Sequence, residues 1–185
     1  MSDTLVIHPH DPSTEMLQYV YEGHCFDVLE DPNIPQERLK ELIALHDTII
    51  ILGHGTGAGL AYPSAIHGLK PGPDGKLFMV DDSFASLLRE KRTISMWCFS
   101  DRYFRRNRIK GFHTGMIISE RQEAELMLGH CPLSDEELRE NMVSLSKALS
   151  GCIDKSPLEM RSYVLDHYQG EDPITQFNRK NIIVV

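Results

Sequence analysis

Two apolar runs, each ending in a chemically active side chain, constrain this chain more than any other feature. Thr48–Leu52 reads TIIIL, an unbroken and largely β-branched stretch of the kind found in parallel strands buried on both faces. It breaks at once into Gly53-His54-Gly55-Thr56-Gly57-Ala58-Gly59. Residues 93–97 (TISMW) form a second such run and deliver Cys98 at its C-terminal end. Around them the pattern alternates. Thr4–Ile7 reads as a first strand closed by Asp11 and Pro12, residues 14–22 as a helix, and residues 26–29 as a strand. Pro35 opens a helix with Leu39, Leu42, Ile43 and Leu45 on its apolar face. Residues 68–75 are a Gly/Pro loop, 77–80 a short strand or turn, 84–91 a helix and 116–118 one more strand.

The second half turns helical. Ser134 and Glu137 make a capping box ahead of Leu138, Met142, Leu145, Leu149 and Cys152, which recur at helical spacing. Ser156, Pro157 and Glu159 repeat the start signal before Tyr163, Val164 and Tyr168, and residues 181–185 form a terminal strand or docked tail. Strands alternating with helices predict an α/β fold of three layers, a mostly parallel sheet flanked by helices, with a helical C-terminal part. At 185 residues the chain fits one domain, 1–185, with its sheet core in 1–120 and a mainly helical portion in 121–185.

Composition narrows the function. Lys and Arg number 19 against 27 Asp and Glu, a net charge of −8, which argues against a dedicated nucleic-acid binder. No window approaches the ~20 apolar residues of a spanning helix, and the first residues show no basic, apolar leader, so neither membrane insertion nor secretion is expected. Cys25, Cys98, Cys131 and Cys152 stand apart with no CxxC pair and read as reduced thiols, hence a cytoplasmic protein. His8 and His10, and Gly-His-Cys at 23–25 and again at 129–131, match no standard zinc spacing, so no metal and no cofactor is expected.

In open parallel sheets the chemical groups gather outside the carboxyl ends of the strands, where both His54 and Cys98 fall. A free thiol is only a few per cent thiolate at neutral pH, and an imidazole beside it can take its proton and later protonate a leaving amine. The N–H groups of Gly55 and Cys98 together form a candidate oxyanion hole, each donor worth about 3 kcal/mol. An apolar strand followed by His-Gly, then a second apolar strand ending in Cys, resembles the caspase-like (clan CD) cysteine peptidases and the CHAT domains, over roughly residues 4–120. The resemblance implies a sheet between helices, a His54/Cys98 dyad with Gly55 on the oxyanion side, and hydrolysis of a peptide or amide in a peptide or protein substrate.

Arg102, Arg105, Arg106, Arg108 and Lys110 follow Cys98 closely against an acidic background. Their potential favours a thiolate or draws an acidic partner, and Asp101 and Arg102 are the candidate substrate contacts. His113 is a further candidate for the site. Two other readings remain. Trp97 directly before the cysteine, the basic run and the short chain suit a catalytically inactive interaction module of the same fold. Residues 53–58 also fit a dinucleotide fingerprint ending in Ala, although neither the following helix nor the distal acidic residue is present.

Overall fold

A computed structural model of the chain describes residues 2–68 and 70–185. Its elements in chain order are β1 (Thr4–Ile7), β2 (Asp27–Leu29), α1 (Gln36–Ala44), β3 (Thr48–Leu52), β4 (Gly55–Thr56), β5 (Gly59–Ala61), α2 (Pro63–Gly68), β6 (Phe78–Val80), α3 (Ala85–Leu88), β7 (Arg92–Met96), α4 (Ser100–Arg106), β8 (Gly111–Thr114), α5 (Arg121–Leu128), α6 (Asp135–Ser150), α7 (Pro157–His167), α8 (Pro173–Lys180) and β9 (Ile182–Val184). The main sheet has the order β2-β1-β3-β7-β8-β9 and is parallel except for β9, which runs against β8. β4, β5 and β6 make a small antiparallel sheet of their own.

The alternation of side chains along β3 explains why the sheet is covered twice. Ile49 and Ile51 point to one face and pack with Leu5, Ile7, Leu39 and Ile43, under α1 and α3. Ile50 and Leu52 point to the other and pack with Val6, Ile94, Met96, Leu145 and Val164, under α6 and α7. All four residues of β3 from Ile49 to Leu52 are fully buried, each worth roughly 1.5–3 kcal/mol relative to exposure. A strand apolar on both faces has no stable place at the surface, so helices on both sides follow from its composition.

The structure departs from the sequence pattern at particular places. Residues 12–20 wind as a 3-10 segment rather than an α-helix, started by Pro12 and capped by the Asp11 carboxylate. The helix expected at 84–91 shrinks to α3 after a single 3-10 turn, and β6 leaves the main sheet to pair with β5. Residues 116–118 are not a strand. They are buried, but the backbone of Ile118 bonds to a side chain instead of a ladder: Asn178 Oδ1 accepts its N–H at 2.8 Å and Asn178 Nδ2 donates to its carbonyl at 3.0 Å. The strand in that region is β8, whose sequence GFHT conceals it. Gly111 is required there because a Cβ would fall 2.2 Å from the Thr93 carbonyl oxygen. Of the loop at 68–75, Leu69 lies outside the described residues, and 70–75 carry only turns and bends. Both serine capping boxes form, at the starts of α6 and α7. Among the described residues no helix is long and apolar enough to cross a membrane.

Candidate active site

β3 and β7 are hydrogen-bonded neighbours with Leu52 opposite Met96. His54 and Cys98 each stand two residues further on, so the two chains leave the sheet side by side at its carboxyl end. The Gly53 N–H, bonded to the Met96 carbonyl at 3.2 Å, holds them together one step past the last ladder pair. His54 and Cys98 line one cavity of about 30 Å³, together with Ser13, Met96, Ile117 and Met142. The 3-10 segment that follows β1, the third neighbouring strand, supplies Ser13.

The turn that presents Cys98 is tight. Phe99 adopts a left-handed conformation (φ 64°) between β7 and α4, which is costly for an aromatic residue. Its ring lies under the Arg102 guanidinium at 4.2 Å, and its N–H bonds to the Gly115 carbonyl at 2.9 Å. Trp97 also lines the cavity; its ring packs with Tyr103 and Phe104 and donates its indole N–H to the Thr56 carbonyl at 3.0 Å. A Cβ on Gly55 would meet Trp97 Cδ1 at 2.3 Å and the Gly59 carbonyl oxygen at 2.5 Å. The tryptophan before the cysteine therefore clamps the hairpin that follows the histidine, and only glycine fits beneath it.

That hairpin also fixes the direction of the Gly55 N–H. The Ala61 N–H bonds to the His54 carbonyl, which makes 54 and 61 a hydrogen-bonded pair, while Gly55 stands opposite Leu60. Bonded and non-bonded pairs alternate in antiparallel strands, so the Gly55 N–H points away from β5 and is not consumed by the ladder. Residues 53–59 thus form a strand-to-hairpin exit. The strand-to-helix turn of a dinucleotide fingerprint is absent here.

Electrostatics around the thiol run against easy ionisation. The Cys98 thiol has two acceptors, the Ile117 carbonyl at 3.5 Å and the Glu123 carboxylate at 3.7 Å. Burial, and then the negative charge of Glu123, push the thiol up to about 12. Glu123 is itself fixed, because its other oxygen accepts from Ser119 N–H at 2.8 Å, Ser119 Oγ at 3.0 Å and Glu120 N–H at 3.2 Å, closing the cap of α5. On the histidine side, His54 Nε2 lies 2.7 Å from Ser13 Oγ, which donates to the Asp11 carboxylate at 2.8 Å.

Asp101 and Arg102, the candidate substrate contacts, are not among the residues lining the cavity. Asp101 faces Arg105 at 3.7 Å, and the Arg102 side chain lies over Phe99 with its stem against Gly57. Arg106 donates to the Gly57 carbonyl and to Asp82, both at 2.6 Å. Part of the basic run thus braces the hairpin. His113 is likewise not in the cavity; it is buried within β8, stacked on Phe104 at 3.8 Å. Cys25, Cys98, Cys131 and Cys152 are all free thiols, and among the described residues no group of three His, Cys, Asp or Glu side chains is placed to hold a metal.

Asp11, Ser13 and Glu123 are the site residues that the sequence pattern does not reveal. Asp-Pro-Ser after β1 reads only as a strand stop and a helix cap. Its position at the carboxyl end of a strand neighbouring β3 was the available signal. No family model, no curated protein and no solved structure matches this chain.

Proposed function

We propose that the protein is a caspase-like cysteine hydrolase that cleaves a peptide or amide bond through Cys98 and His54, in the reducing compartment its free thiols suit. The observation that carries the reading is the β3–β7 register, which opens a histidine and a cysteine onto one cavity at the carboxyl end of a parallel sheet. The Cys98 proton passes to His54 and the thiolate sulfur bonds to the substrate carbonyl carbon. The carbonyl electron pair moves to oxygen, where the Gly55 and Cys98 N–H groups receive it. Collapse breaks the C–N bond as His54 returns the proton to the leaving amine. Water, deprotonated by His54, then attacks the thioester and releases the acid and the thiol.

The Glu123 carboxylate stands 3.7 Å from the Cys98 sulfur, and its charge opposes the thiolate this mechanism needs. Glu123→Gln tests this directly, since glutamine also serves at that capping position while lacking the charge. A mixed peptide library is incubated with the wild type, Glu123→Gln, Cys98→Ala and His54→Ala, and new termini are read by mass spectrometry. Cleavage is expected from the first two, stronger in Glu123→Gln, absent in Cys98→Ala and reduced by about a hundredfold or more in His54→Ala. Cleavage that survives Cys98→Ala, or none from either of the first two proteins, overturns the reading.

The small cavity and the upward-shifted thiol favour one second reading, a non-catalytic interaction module. Arg105, half-exposed on α4, is then a contact. That reading expects a partner whose capture survives Cys98→Ala and is lost on Arg105→Glu.

A further inference from the structure

We propose that Ser13 and Asp11 are positioning residues for His54: they hold a proton on Nε2 and leave Nδ1 as the nitrogen that accepts one. The argument is a count of protons. An ionised carboxylate only accepts hydrogen bonds, and a serine hydroxyl has one proton to give. Ser13 Oγ lies 2.8 Å from Asp11 Oδ1, so that proton is committed to the carboxylate. The 2.7 Å contact between Ser13 Oγ and His54 Nε2 therefore takes its proton from the ring. Neutral His54 is the Nε2–H tautomer, and its lone pair sits on Nδ1.

The arrangement is built rather than incidental. Asp11 is 5 % exposed and sits at the start of the 3-10 segment. Its Oδ1 takes both the N–H of Ser13 at 2.9 Å and the hydroxyl, while Thr14 donates through N–H and Oγ1 to the Asp11 carbonyl at 3.0 and 3.2 Å. Capping alone accounts for the Ser13 N–H bond. It does not account for a ring from the end of β3, 41 residues along the chain, placed on the same hydroxyl. When Nδ1 takes up a proton the ring becomes a cation. Its second N–H already points through Ser13 to the buried Asp11 carboxylate, so the relay needs no rearrangement.

The catalytic meaning of the relay rests on the cysteine-hydrolase reading, but the tautomer can be measured without any substrate. Long-range nitrogen–proton spectra of the uniformly labelled full chain, with His54 assigned through His54→Gln, report which ring nitrogen carries the proton at about pH 8, above the ordinary histidine range. The wild type is expected to show one tautomer, protonated at Nε2. Ser13→Ala, which keeps the N–H bond to Asp11 and the cap, is expected to show both tautomers, and Ser13→Thr to restore the single one. A proton on Nδ1 in the wild type overturns the proposal, as does a spectrum that Ser13→Ala leaves unchanged. Peptide cleavage by a protein with Nδ1 protonated discards the relay and keeps the hydrolase. An Nε2–H ring in a protein that cleaves nothing does the reverse.

Discussion

Ser13 stands 2.7 Å from His54 and Ser95 stands 2.8 Å from His113, two serine–histidine contacts of nearly equal length at the carboxyl end of the sheet and in its interior. Their surroundings differ. The first pair lies beyond the carboxyl ends of the strands, beside a cavity, with the Asp11 carboxylate behind the serine. The second lies inside the sheet, with no exposure at Ser95 or His113 and Nε2 of the histidine buried without a partner. Burial, followed by the charge of Arg105, pushes His113 down to about 3. A hydrogen bond of good length does not make an imidazole useful. A carboxylate behind the serine and a place at a cavity distinguish the first pair from the second.

Acid should separate the two pairs most sharply. His113 is pushed down to about 3, and His8, also through burial, to about 4, whereas an unfolded histidine takes up its proton near 6.5. Above that value both states are neutral and stability is complete. As the pH falls below it the unfolded chain binds protons that the folded chain refuses, so stability drops until the folded values are reached. By about pH 5 each histidine should cost about 2 kcal/mol, near 4 kcal/mol together, read from urea unfolding. The paired replacement Ser95→Ala with His113→Phe keeps an aromatic ring against Phe104 and removes both polar partners, so it should be nearly neutral at pH 7. It should also remove about half of the acid-linked loss. An unchanged pH slope would show that His113 is not the buried neutral group described above.

Gly55→Ala acts on the other side of the comparison. The new methyl has no room between Trp97 and the Gly59 carbonyl, and one of those neighbours is backbone. Overpacking of this kind should cost about 3 kcal/mol. The displaced hairpin begins at His54, so the His54 ring signals should shift while those of His113 stay in place. A variant that is stable and leaves His54 unmoved would mean that the Trp97 clamp does not set the histidine.

What the sequence could reveal follows from the range of each signal. TIIIL and TISMW are local patterns that carry their burial in their composition, and the helix caps at Ser134 and Ser156 are complete within four residues. The centre of the sheet, both C-terminal helix starts, and His54 with Cys98 as strand-end groups were legible for that reason. Asp11 and Ser13 were not, because their local role as a cap accounts for them and their contact to His54 depends on β1 lying next to β3. Glu123 has the same double character, closing the cap of α5 with one oxygen and facing Cys98 with the other. Trp97, which in the sequence suits an inactive module of the same fold, also covers Gly55, a contact the sequence does not show. Residues 116–118 misled for the opposite reason: their apolar content is that of a strand, but an amide side chain 60 residues away occupies the backbone bonds a strand would use.

The cysteines allow the smallest and most local test. Burial pushes Cys152 up to about 11 and Cys98, which also faces a carboxylate, up to about 12. Glu123→Gln removes that charge and keeps an acceptor for the cap, so it should lower the Cys98 value by about one unit and speed its alkylation by iodoacetamide about tenfold at a fixed mildly alkaline pH. Cys152 is fully buried between α6 and α7 and makes no bond to Glu123, so its rate should not change and it reports any general loosening. Should both rates rise together, the fold has loosened as a whole and the gain reflects access. A gain confined to Cys98 identifies Glu123 as the group that keeps the thiol protonated.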